Sequence, residues 1–192
     1  MKKLILILFT IFIAGKCFCQ STYTLPLPEK WGTEKISFPI SFAPKIPYTG
    51  TEELRFTPGW SDVNSDEYWS YTFLWFIDGA PKVSSDILQL HFAAYFDGLF
   101  KTNNKTRPAG EDGFTKVQVK KVKAVSNDNE SYEATISTLN FVTGKPITLL
   151  ARIHVRNYPD KGHSALLFEL SPKPYNQEVW QKLDAVVDGF RF

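Results

Sequence analysis

Trp60 follows Pro58-Gly59 at the edge of a polar stretch that carries Asp62, Asp66 and Glu67 and ends at Tyr68. An aromatic ring on a loop with carboxylates nearby is a platform on which a small ligand could stack and be hydrogen-bonded. The competing reading folds Trp60 back over the core as a lid. The same acids, with Asp78 and Asp97, are the candidates for acid–base hydrolysis. That chemistry needs two carboxyl groups at a defined separation, which a sequence does not supply.

A second constellation lies in 147–156. Ile147, Leu149, Ala151, Ile153 and Val155 fall on one strand face, and Arg152, His154 and Arg156 on the other. Alternate residues are about 7 Å apart, so the three basic groups make a stripe roughly 13–14 Å long. Guanidinium groups offer forked donors to a carboxylate or phosphate, so the stripe could take an acidic ligand. Equally, it could be satisfied across the sheet by Glu133 or Glu169. His91, with Ile87 and Tyr95 four residues to either side, reads as a structural histidine. There is no HExxH, paired histidines, cysteine cluster, GxSxG elbow or glycine-rich phosphate loop. No metal site, cofactor or catalytic nucleophile is therefore assigned.

The residues before this chemistry read as an export signal. Lys2 and Lys3 precede an apolar run over 4–14, and Cys17-Phe18-Cys19 places small residues at the −3 and −1 positions of a cleavage site before Gln20. The run is short of the roughly 20 residues that a membrane span needs, and no second such run follows. Residues 1–19 are the expected signal peptide and 20–192 a single domain, periplasmic or secreted. Lipid anchoring at Cys17 is the minor alternative, disfavoured by Lys16 directly before it. Cleavage removes Lys2, Lys3 and Lys16 from 22 basic residues, leaving 19 against 20 acidic ones. A domain so nearly neutral lacks the electrostatic footprint of a nucleic-acid binder.

The elements that must position these groups follow from periodicity. Residues 20–50 are proline-rich and extended, with a strand near 35–40. Glu52–Phe56 alternates as a strand, 61–67 is a loop, and Tyr68–Ile77 (YWSYTFLWFI) is a strand apolar on both faces. Such a strand belongs in the middle of a sheet covered on both sides. A serine at 84 or 85 caps a helix ending near Asp97, with Gly98 as its left-handed stop. A polar loop over 101–113 leads to strands near 114–125, 131–139, 147–156 and 164–170. Lys116, Lys120, Lys121 and Lys123 mark the first of these as a sheet edge, with a bulge near 120–121. A helix over 176–188 and a closing strand at 190–192 complete an α+β order: a mainly antiparallel sheet of six to seven strands with two main helices.

That order, with the tail "W..L..VV.GFRF" from Trp180 to Phe192, resembles the Mog1/PsbP-type α/β/α sandwich across 30–192. The resemblance implies a small binding or assembly-assisting protein. The segment from Glu52 to Trp75 also resembles an uncharacterised exported bacterial family, which implies no activity. The expected function is non-catalytic binding of a small ligand or protein partner. Trp60, Tyr68, Asp62, Glu67, Arg152, His154 and Arg156 are its candidate residues. A carboxylate-based hydrolase and a structural or envelope-assembly protein are the alternatives. Export predicts that mass spectrometry of the native product will find a chain beginning at Gln20; an acylated Cys17 or an intact Met1 would overturn that expectation.

Overall fold

The computed structural model describes residues 23–104, 113–125 and 127–192. The expected signal peptide, the expected cleavage site and the middle of the expected 101–113 loop lie outside the described residues. Seven strands form one sheet: β1 (Gly32–Ser37), β2 (Gly50–Phe56), β3 (Tyr71–Asp78), β4 (Lys116–Val122), β5 (Glu130–Leu139), β6 (Pro146–Tyr158) and β7 (His163–Ser171). Their spatial order is β1-β2-β3-β7-β6-β5-β4, and every neighbouring pair is antiparallel. Two helices complete the described elements, α1 (Ser85–Asn103) and α2 (Glu178–Asp188). This is the α+β class that the element order implies. No helix among the described residues is long and apolar enough to cross a membrane.

The apolar character of β3 dictates the layering. Every residue from Tyr71 to Ile77 is buried. Phe73, Trp75 and Ile77 join α1 side chains such as Phe92 and Tyr95 in the main core, with Phe73 stacked on Tyr95 at 5.6 Å and on Phe168 at 4.4 Å. Leu74 and Phe76 point the other way, into a second core with Val186, Val187 and Phe190. A strand apolar on both faces is stable only if both are covered, and here α1 covers one and α2 the other.

The helices have separate causes. Ser84 caps α1, its hydroxyl accepting from the Ile87 amide at 3.3 Å. α2 buries Val179, Trp180, Leu183, Val186 and Val187 on one stripe. The Trp180 indole donates to the Lys173 carbonyl at 2.9 Å, so even its polar atom is satisfied. The outer face of β2 is closed by Arg55, which is 5% exposed and donates to the carbonyls of Leu25 and Pro26 at 3.0 and 2.9 Å. The segment near 25 is thereby strapped over the sheet.

Several expectations need correcting. α1 does not stop at Gly98 but runs on to Asn103, because Leu99 and Phe100 continue its apolar stripe and the Asn103 side chain caps the Leu99 carbonyl at 2.9 Å. Gly98 serves close approach instead: a Cβ there would lie 1.8 Å from the Phe42 carbonyl oxygen. β4 has no bulge, since its register with β5 is one-to-one from Lys116↔Ser137 to Val122↔Ser131. Lys121 stays in register with its ammonium 5.8 Å from the Tyr132 ring centroid and 3.2 Å from Glu130. β1 lies at 32–37 and not 35–40, ending before Pro39, which has no amide to donate. Tyr68 and Trp69 precede β3, with Trp69 at φ 53°. The closing strand reduces to one bridge, Arg191 with Thr24.

Gly98→Ala tests the close approach. At an open helical position the change would stabilise by up to about 1 kcal/mol. Against a backbone carbonyl it should instead cost about 1–3 kcal/mol in urea unfolding.

Candidate functional site

The alternation that builds β2 places Glu52, Leu54 and Phe56 on the α1 side of the sheet. Register carries the pattern sideways: Ile36 and Glu34 of β1 lie opposite Glu52 and Leu54, and Trp75, Phe73 and Tyr71 of β3 lie opposite Glu52, Leu54 and Phe56. α1 crosses this face beside them with Tyr95 and Leu99. The loop between β2 and β3 folds back over its edge, where the Trp69 amide donates to the Trp60 carbonyl at 2.8 Å. Between these parts is a cavity of about 450 Å³, lined by Phe56, Trp60, Trp69, Tyr71, Tyr95 and Phe141 among others. A volume of this order suits a small organic molecule, and an apolar wall with few polar groups is the usual construction of such a site.

Trp60 is half-buried, its ring 4.7 Å from Phe56. It is thus both a partial lid and part of the cavity wall. Its sequence neighbours turn elsewhere. Asp62 is exposed and accepts from the Asn64 amide at 2.9 Å. Asp66 is exposed and pairs with Lys173 at 2.7 Å. Glu67 accepts from the Gly59 amide at 2.9 Å and pairs with Lys182 of α2 at 3.0 Å, which fixes the loop's fold. The Tyr68 hydroxyl is held by the Asn140 side chain. None of these four residues lines the cavity.

The acids of the cavity region are Glu34, which lines it, and Glu52, which is fully buried beneath Tyr95. The Tyr95 hydroxyl donates to Glu52 Oε1 at 2.8 Å, while Oε2 accepts no hydrogen bond. Burial pushes the Glu52 carboxyl up to about 7, against the opposing pull of Tyr95 and the Trp75 indole. The Trp69 indole nitrogen is also buried without a partner. Sequence parity could have found Glu52, since it shares a face with Leu54 and Phe56. Nothing local in the sequence marked Phe141 or Tyr95 as neighbours of Trp60.

The basic stripe lies on the opposite face of the sheet and is closed by the chain's own acids. His154 Nδ1 is 2.7 Å from Asp128 Oδ2, and Arg156 Nε donates to Asp128 Oδ1 at 2.9 Å. His154 Nε2 lies 3.5 Å from Glu169, an electrostatic contact and not a short hydrogen bond. Arg152 reaches Asp184 of α2 at 2.5 Å and Glu169 at 3.6 Å, its guanidinium 5.0 Å from the Tyr175 and Trp180 rings. Burial presses His154 down, but Asp128 and Glu169 outweigh it and raise the imidazole to about 9. Burial likewise lifts Glu169 to about 7 against the pull of His154 and Arg152. Glu133, the other partner considered for the stripe, pairs with Lys120 at 2.8 Å. Asp128, in the turn between β4 and β5, holds His154 and Arg156 together.

His91 is buried, its ring 5.0 Å from Tyr48, and burial lowers its pKa. Among the described residues no three His, Cys, Asp or Glu side chains are grouped to hold a metal ion. No family model matches the chain, and no curated protein matches it either.

The raised Glu52 carboxyl has a testable sign. Its folded pKa of about 7 lies above the ordinary value of 4.5, so its contribution to stability is full below about 4.5 and is lost as pH rises through about 7. Glu52→Gln removes that loss. In thermal unfolding the variant should match the parent near pH 4.5 and exceed it at pH 8 by on the order of 3 kcal/mol. A gain that did not depend on pH would show that Glu52 does not titrate in this window.

Proposed function

We propose that this is an exported bacterial protein that binds a small ligand without transforming it, and that the ligand lies in the aromatic cavity beside Trp60. The observation that carries this reading is the cavity itself, about 450 Å³ walled by rings from four separate parts of the chain. Its walls are mostly apolar rings with few polar groups, which is the usual construction of a small-molecule site. The hydrolase reading is weaker because the acids that motivated it diverge. Asp66 and Glu67 reach towards Lys173 and Lys182, and Asp62 serves its own turn. The purely structural reading leaves the half-buried Trp60 and the space behind it without a role. Export rests on the leader sequence.

A thermal-shift screen of small aromatic, aliphatic and amine compounds tests the proposal. A compound present at a hundred times its dissociation constant should stabilise the fold by about 2.7 kcal/mol. Trp60→Ala, checked by circular dichroism for an unchanged fold, should weaken binding at least tenfold. If no compound raises the midpoint, or if the Trp60→Ala protein responds like the parent, the binding reading fails.

A further inference from the structure

We infer that the occupant of the aromatic cavity is a small organic ammonium cation, an inference that rests on the binding reading above. The argument begins with charge. The residues lining the cavity include one acid, Glu34, and no lysine, arginine or histidine. Glu34 makes no ion pair with another described residue. Behind the wall sits Glu52, with no cation beside it, one oxygen bound by the Tyr95 hydroxyl and the other without a hydrogen bond. The stripe on the opposite sheet face shows the contrast: there the buried Glu169 faces His154 and Arg152.

The rings supply the second half of the argument. Trp60, Phe56, Tyr71 and Tyr95 line one space, and aromatic faces carry negative charge density that attracts a cation within about 6 Å of the ring centre. Tyr95 is a better acceptor than an ordinary phenol ring, because donating its hydroxyl proton to Glu52 enriches the ring's electrons. An anionic ligand would meet two acids and no counter-charge. A neutral hydrocarbon would gain nothing from the carboxylates of Glu34 and Glu52. A quaternary or alkylated ammonium, weakly hydrated and bulky, matches both the rings and the acids. Trp69, another of the lining rings, has an indole nitrogen without a hydrogen-bond partner.

The test compares (4-hydroxyphenyl)trimethylammonium with its neutral isostere 4-tert-butylphenol, by isothermal titration calorimetry on the exported chain at pH 8. The two differ in charge and hardly in shape. The cation should bind at least tenfold more tightly than the phenol. Glu34→Gln and Glu52→Gln should each weaken the cation severalfold and leave the phenol unchanged, while Trp60→Ala should weaken both. Equal affinity, or tighter binding of 4-tert-butylphenol, overturns the cation inference and leaves the binding reading standing. If neither probe binds at millimolar concentration the cation inference also falls, and the wider compound screen then judges the binding reading separately.

Discussion

A seven-stranded sheet is wider than any one helix can cover, and most of this molecule follows from that mismatch. Six inter-strand gaps of about 4.8 Å make a sheet roughly 29 Å across, against about 10 Å for a helix with its side chains. α1 lies nearest β4 and β5, and its Phe92 and Tyr95 reach across to Phe168 of β7 and Phe73 of β3 in the core. The remainder of that face must be closed by irregular chain. Phe38, Ile40, Ala43, Ile46 and Tyr48 close one end. At the other end the loop between β2 and β3 leans Trp60 on Phe56, and the space left behind it is the aromatic cavity. The cavity is thus a consequence of layer geometry, lined by rings because β2, β3 and α1 all present apolar faces there.

The two faces of the sheet treat a buried carboxylate differently. Glu169 lies under α2 with His154 and Arg152 as counter-charges, and the hairpin acid Asp128 binds the far side of the same imidazole. Such a closed network is a means of fixing register between β6, β7 and the 127–129 turn, since each charge is costly to bury without its partner. Glu52 has a tyrosine hydroxyl and no cation. An acid left in this state beside an open cavity is the chief chemical asymmetry of the molecule.

Much of the architecture was legible because it depends on local periodicity. The two-faced apolar run Tyr71–Ile77 implied a covered central strand, and the strand-rich order after α1 implied a meander; both are present. The error at Gly98 arose because one residue type serves two purposes, positive φ and close approach, and only the Phe42 carbonyl decides between them. The cavity was half legible. Trp60 drew notice for its loop setting, but the acids beside it in sequence turn away. The acids near it in space come from β1 and β2, brought there by strand pairing that no local pattern encodes. The basic stripe was read correctly as a stripe, while its chief partner, Asp128, was hidden by the ordinary turn chemistry of Asn127-Asp128-Asn129.

The meeting of β3 with β7 in the middle of the sheet joins Tyr71 to Leu170 and Asp78 to His163, partners separated by about half the chain. The first three strands and the last four can each assemble from neighbouring hairpins, but neither group has its central seam until the other arrives. Closing that seam confines a long stretch of chain before its contacts give anything back, so acquisition of the native state should be slow for a protein of this length. Until then the greasy flank of β3 stands open to other chains, a hazard that lasts as long as the seam stays unmade.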